Sequence, residues 1–191
     1  MTDVKNILLV GVGGQGTILA SKILSEVLLE AGYDVKMSEV HGMAQRGGSV
    51  STQIRYGKKV YGPIIGKGEA DIIVSFEKME AVRWAEYLKV GGTIVINDFE
   101  IPSAPILSGN AKYPEGVIEE LKTKAKTISF NGTAMAKELG NIRTMNIILL
   151  GTLVKGMGLE DLDWESKIKK NVKDGFEDIN IEAFNLGKKQ I

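Results

Sequence analysis

The sequence predicts an α/β fold, a mostly parallel sheet with helices on both faces and an inserted β-hairpin. Three observations carry that expectation. A short apolar run ends at a glycine-rich turn that opens an amphipathic helix; strand-length apolar runs then alternate with helical patterns down the chain; and one strictly alternating segment, Ser49 to Tyr56, follows a loop that interrupts this rhythm.

The elements follow in order. Lys5 to Val10 contains Ile-Leu-Leu-Val, the continuous apolar run of a parallel strand covered on both faces. Gly11-Val12-Gly13-Gly14-Gln15-Gly16 comes next, a Gly-x-Gly-x-x-Gly pattern between strand and helix that makes the expected sheet Rossmann-like. Leu19, Ala20, Ile23, Leu24, Val27, Leu28 and Ala31 recur at helical spacing, with Gly32 as the stop. Tyr33 to Val40 reads as the second strand. In Ser49 to Tyr56, Val50, Thr52, Ile54 and Tyr56 share one side and Ser51, Gln53 and Arg55 the other. The turn Gly57-Lys58-Lys59 into Val60-Tyr61 predicts a hairpin at that point, so that antiparallel strands extend or flank the parallel sheet.

Asp71 to Phe76 is a buried-type strand, Glu77 to Leu88 an amphipathic helix, Gly91-Gly92 its terminator and Thr93 to Ile96 the next strand. Asp98 to Pro114 holds three of the four prolines and reads as an irregular connection. Then come helices at Glu115 to Lys124, Thr133 to Leu139, Asn146 to Lys155, Trp164 to Val172 and Phe176 to Leu186, with a strand at Lys126 to Phe130. One domain over residues 1–191 is expected.

Composition narrows the function. At 43% hydrophobic and 25% charged residues the chain has a globular balance. Lys plus Arg equals Asp plus Glu at 24 each, so no positive field draws in nucleic acid. No apolar run is long enough to span a bilayer and no secretory leader is evident, which points to the cytoplasm and away from a membrane. Cysteine is absent, which excludes disulfides, zinc-thiolate sites and thiolate-held iron–sulfur clusters on this chain. With a single histidine and no clustered carboxylate motif, no metal site is expected.

Two segments carry the candidate chemistry. Gly11, Gly13, Gly14, Gln15 and Gly16 could cradle a phosphate at a helix N-terminus, with Glu39 placed to bind a ribose hydroxyl; equally, the glycines could serve a tight turn and close helix packing. His41-Gly42-Met43-Ala44-Gln45-Arg46-Gly47-Gly48-Ser49 puts a titratable imidazole and a bidentate guanidinium on one loop, so His41 and Arg46 are the catalytic candidates. Gln45, Gly47 and Gly48 are the loop's ligand-binding candidates. A loop whose Gln45 and Arg46 satisfy neighbouring carbonyls is the competing reading. Glu77, Asn97 and Asp98 follow strand ends, where capping or turn formation accounts for them. Asn131 and Thr133 read as caps, Arg143 and Asn146 as boundary residues of the apolar helix. Trp84, Tyr87, Trp164, Phe176 and Phe184 fall on amphipathic helices as core or interface residues. No nucleophile elbow, Walker lysine or Gly-Asp-Gly thiamine motif is present.

Gly11-Val-Gly-Gly-Gln-Gly16, Ser38-Glu-Val-His-Gly-Met-Ala-Gln-Arg-Gly-Gly-Ser-Val50 and Gly68-Glu-Ala-Asp71 together resemble the gamma-type subunit of 2-oxoacid:ferredoxin oxidoreductases, in the form found as the small beta subunit of indolepyruvate:ferredoxin oxidoreductases. The similarity extends to Ala136-Lys-Glu-Leu-Gly-Asn141 and Ala183-Phe-Asn-Leu-Gly187. Ala44 departs from it, standing where many relatives carry serine. The resemblance implies oxidative decarboxylation of an arylpyruvate to an aryl-acetyl-CoA, with CoA as co-substrate and ferredoxin as acceptor. It places thiamine diphosphate, Mg and 4Fe-4S clusters on a larger alpha subunit. A gamma subunit for pyruvate, 2-oxoglutarate or a branched-chain oxoacid, a free-standing dinucleotide-binding enzyme, and a non-catalytic scaffold are the alternatives. The isolated subunit is compatible with a homodimer.

Overall fold

In the computed structural model, which describes residues 4–41 and 47–191, the sheet is built around β1 (Lys5–Val12). The other strands are β2 (Asp34–His41), β3 (Ser49–Gly57), β4 (Ala70–Ser75), β5 (Leu88–Asn97) and β6 (Lys126–Phe130), in the spatial order β2-β3-β1-β4-β5-β6. β1, β4, β5 and β6 are mutually parallel, and β3 pairs antiparallel to both β1 and β2, so β3 alone runs against the rest. The expected mostly parallel sheet is present.

The inserted hairpin is present as well, at a different place. β2 and β3 form it, from Asp34↔Gly57 to His41↔Val50, and the segment between His41 and Ser49 is its connection. Val60-Tyr61 forms no strand. The reason is that β3 already has both edges occupied, by β1 and β2, which leaves no free backbone ladder for a further partner. The chain beyond Gly57 is instead turned back by Val60 N–H donating to the Asp34 carboxylate at 2.9 Å.

The helices are α1 (Thr17–Glu30), α2 (Lys78–Trp84), α3 (Ala104–Leu107), α4 (Val117–Lys124), α5 (Gly132–Glu138), α6 (Met145–Met157), α7 (Trp164–Asn171) and α8 (Glu177–Lys188). α1 ends where Gly32 was expected to stop it. Gly32 takes a φ of 85°, its N–H donates to Leu29 O at 3.0 Å, and Tyr33 N–H donates to Leu28 O at 3.1 Å, the two bonds of a Schellman cap. The helix read over Glu77 to Leu88 is shorter than expected. It gives way to a 3₁₀ turn at Ala85–Tyr87, and Leu88 already opens β5. Gly91-Gly92 therefore lies inside β5, where the register with β4 jumps from Ala70↔Leu88 to Ile72↔Thr93, and terminates no helix. The proline-rich connection contains one short helix, α3.

Period-two alternation along the strands divides the core into two layers. Ile7, Leu9, Ile72, Val74 and Val95 pack with α1, α6, α7 and α8, whereas Leu8, Val10, Ile73, Ile94 and Ile96 pack with α2 and α4. α6 is buried all round because it is sandwiched between the sheet and α8. Trp164 and Phe184 stack at 5.6 Å in the same layer, while Phe176, expected in the core or at an interface, is exposed. Among the described residues no helix is long and apolar enough to cross a membrane.

α6 and α8 touch through their backbones. A Cβ added at Gly187 would lie 1.9 Å from Ile148 O, and one at Gly151 2.1 Å from Phe184 O. Thr152 Oγ1 donates to Gly187 O at 2.9 Å across the same contact. Gly151→Ala and Gly187→Ala should each lower unfolding stability in urea by about 2 kcal/mol or more, because the helices must separate. Gly62→Ala, with open space around it, should leave the midpoint unchanged.

Candidate functional site

The carboxyl ends of β1, β4, β5 and β6 lie along one edge of the sheet, and antiparallel β3 starts there. α1 leaves β1 for one face and α2 leaves β4 for the other. The β1/β4 boundary is therefore the topological switch point, the crevice where open α/β sheets bind their ligands.

Carboxamides stitch this crevice together. Gln15 folds back so that Val12 N–H donates to its Oε1 at 2.8 Å, while its Nε2 donates to Phe76 O, just beyond β4, at 2.7 Å. Asn97, fully buried at the end of β5, donates to the same carbonyl at 3.0 Å and to Thr133 Oγ1 at 3.1 Å, and Thr133 N–H returns to Asn97 Oδ1 at 3.3 Å. Asn97 is thus a tie between three segments. Thr133 is its partner, and the capping of α5 falls to Asn131, which accepts from Ala134 N–H at 2.8 Å.

The packing reading explains two of the motif glycines. A Cβ at Gly11 would meet Gln15 Oε1 and Phe76 Cβ, each at 2.9 Å, and one at Gly16 would meet Asn146 Nδ2 at 2.5 Å. Asn146 lies 130 residues further on and donates to Gly16 O at 3.1 Å, so this boundary residue, in the first turn of α6, is also a clamp on the start of α1. Its buried Oδ1 has no partner among the described residues. Gly14 differs: it is exposed, with φ 102° and open space where a side chain would be.

The two candidate segments meet. Gly13 N–H donates to Gly48 O at 2.9 Å, and Gly47 N–H donates to Gly13 O at 3.4 Å. Gly47, like Gly14, is exposed with open space around it. His41 is the last residue of β2, opposite Val50. Gln45 and Arg46 lie outside the described residues. Glu39 does not fit the dinucleotide fingerprint. β3 separates β2 from β1, which puts the strand of Glu39 about 10 Å, two strand spacings, from β1, one strand further out than the ribose-binding acid would stand. Its carboxylate accepts from Ser21 Oγ on α1 at 3.2 Å.

Two buried carboxylates flank the crevice on α2. Glu77 caps the helix, accepting from Glu80 N–H at 3.1 Å, and also receives Ile101 N–H at 3.2 Å and the Tyr113 hydroxyl. Burial and the Glu77 carboxylate both push the Tyr113 phenol up. Glu80 escaped the sequence reading. It is 4% exposed and accepts from Ser49 Oγ at 2.5 Å, with Arg83 Nε 3.6 Å away. Burial raises its carboxyl above the usual range, against the lowering effect of Ser49 and Arg83. The one available signal was the Glu77-x-x-Glu80 capping spacing.

Beside this geometry stand the likenesses to known proteins. The family described as pyruvate ferredoxin/flavodoxin oxidoreductase matches residues 6–190. The chain belongs to that family. Among its relatives, the indolepyruvate oxidoreductase subunit IorB of Pyrococcus horikoshii is 40% identical over 96% of this chain and 94% of its own length. The pyruvate/ketoisovalerate oxidoreductases common subunit gamma of Pyrococcus furiosus is 29% identical over 87% of this chain and 83% of its own. Among solved structures, the gamma subunit of a keto/oxoacid ferredoxin oxidoreductase from Geobacter sulfurreducens superposes with a TM-score of 0.71 at 25% identity, covering 97% of both chains.

What a pyruvate ferredoxin/flavodoxin oxidoreductase chain of this kind offers at its crevice is fixed hydrogen-bonding dipoles. An iron–sulfur cluster does not suit its donors, since the sequence has no cysteine. Among the described residues no three His, Cys, Asp or Glu side chains converge on a point where they could hold a metal ion by themselves.

Replacing Gln15 by Met keeps the volume but leaves Val12 N–H unpaired, while Phe76 O retains Asn97. A loss of about 1–3 kcal/mol in urea unfolding is expected. Glu80 gives a pH signature. Its folded carboxyl is raised, so wild-type stability falls as pH rises from the unfolded value, about 4, through the folded one. Glu80→Gln has no such term. Its stability relative to wild type should therefore be greater at about pH 7 than at about pH 4, and an equal difference at both would contradict a raised carboxyl.

Proposed function

We propose that this chain is the small subunit of an indolepyruvate:ferredoxin oxidoreductase, active with a larger subunit that carries thiamine diphosphate, magnesium and iron–sulfur clusters. An arylpyruvate loses its carboxyl group as carbon dioxide, its acyl carbon joins the thiol sulfur of CoA with loss of the thiol proton, and the electron pair passes to ferredoxin. Residues 1–191 act as one domain of this cytoplasmic complex.

One observation carries the reading. At the switch point, the glycine turn and the end of the His41–Ser49 loop are hydrogen-bonded into a single crest with open backbone at Gly14 and Gly47. Backbone that approachable suits close contact with a phosphate-bearing ligand or another chain. In this reading Gly13 and Gly14 face the phosphate-bearing part of CoA, Gly11, Gln15 and Gly16 hold that turn in shape from behind, and Gly47 and Gly48 continue the wall. His41, Gln45 and Arg46 enclose the reacting end from the loop, Arg46 as the bidentate partner of a carboxylate or phosphate. The chain's own part is to bind, orient and exclude water. The extended likeness to indolepyruvate oxidoreductase subunits favours an arylpyruvate over the smaller oxoacids.

Arg46→Ala tests the loop's part. In the assembled complex it should lower kcat/KM for arylpyruvate-dependent ferredoxin reduction about tenfold or more, equivalent to about 1.4 kcal/mol. The thermal midpoint of the purified subunit should stay at the wild-type value. Unaltered kinetics would remove the loop from the reaction.

A further inference from the structure

Glu80 sits one turn into α2, where its carboxylate meets both its own helix, with Arg83 Nε 3.6 Å away, and β3. At this position, the third after the cap, a glutamate ordinarily reaches back to the cap's own N–H and completes a reciprocal capping box. Here Glu77 does its half, accepting Glu80 N–H at 3.1 Å, but the Glu80 carboxylate goes to Ser49 on β3 instead, at 2.5 Å. Burying a carboxylate held by the Ser49 hydroxyl, the Trp84 side chain and a guanidinium 3.6 Å away gains little stability, since an apolar side chain of similar volume is generally no worse. The significance of the contact lies in what Ser49 is attached to.

Ser49 lies opposite Val12 in the β1/β3 ladder and directly follows Gly48, whose carbonyl accepts Gly13 N–H at 2.9 Å. Glu80 is therefore fixed to the residue next to the one that clamps the loop onto the glycine turn. The bond also crosses the switch point, joining the β2-β3-β1 half of the sheet to the helix that follows β4. At this end of the sheet Gln15 also crosses that seam, to Phe76 O.

We propose that Glu80 is a positioning residue for the reaction: acting through the Ser49 hydroxyl, it sets where Gly47 and Gly48 lie on Gly13, and so the shape of the crest that the partner and substrate meet. This rests on the functional reading above. The oxygen of a glutamine side chain can accept the same hydrogen bond, so the role needs an acceptor at this position and not a negative charge.

The test uses Ser49→Ala, Glu80→Ala, the double variant and Glu80→Gln, each assembled with the partner subunit. In steady-state assays of ferredoxin reduction, Ser49→Ala and Glu80→Ala should each lower kcat about tenfold, the double variant should be no worse than either, and Glu80→Gln should recover to within about twofold of wild type. A purely structural role predicts lower thermal midpoints with wild-type kcat in the assembled complex. Amide hydrogen exchange on the unassembled chain supplies a readout independent of any substrate. The Gly13 and Gly47 amides should exchange faster in both alanine variants and at the wild-type rate in Glu80→Gln. Unchanged exchange overturns the latch, whatever the complex does; faster exchange with unaltered kcat overturns its part in the reaction. Should wild-type complex reduce ferredoxin with no 2-oxoacid, the functional reading and the positioning role both fall, while the exchange data still decide whether the latch exists.

Discussion

The carbonyl of Phe76 is the constraint on which the crevice depends. It stands just past β4, at the centre of the sheet, and accepts Gln15 Nε2 and Asn97 Nδ2 from opposite sides. Phe76 N–H is itself tied to Val10 O at 2.8 Å. One residue thus holds the ends of β1, β4 and β5 in fixed relation, with both lone pairs of its carbonyl used. Because Gln15 must fold back to reach it, Gly11 has no room for a side chain, and the turn keeps the shape in which Gly14 stays open and Gly16 meets Asn146. Carboxamides suit such a junction because they carry no charge to desolvate, and each both donates and accepts.

The second determinant is the place of β3. An antiparallel strand set between β1 and β2 moves the acidic end of β2 one strand outward, which dismantles the geometry of a dinucleotide site. The same displacement brings the start of β3, and with it Gly47, Gly48 and Ser49, against the glycine turn. A nucleotide-type opening is thereby converted into a two-part crest.

Much of the fold was legible because its signals are local. The apolar run before Gly11, the helical spacing from Leu19 to Leu28 and the stop at Gly32 each depend on residues within a few positions. The hairpin was misplaced because Gly57-Lys58-Lys59 is a good local turn, and only the pairing of β3 on both edges shows that no strand can follow. The site was legible as two motifs but not as one object. Gln15 finds Phe76 61 residues away and Asn146 finds Gly16 130 residues away, distances at which residue type says nothing of partner. Glu80 reads as an ordinary surface glutamate of an amphipathic helix, since its burial comes from β3, far earlier in the chain.

Co-purification tests the central claim most directly: tagged chain recovered anaerobically from its native cell, then assayed for ferredoxin reduction with CoA and either an arylpyruvate or pyruvate. The account predicts a brown complex with a larger, cysteine-containing partner that turns over the arylpyruvate in preference to pyruvate. A colourless chain without a partner that retains a bound nucleotide would contradict it.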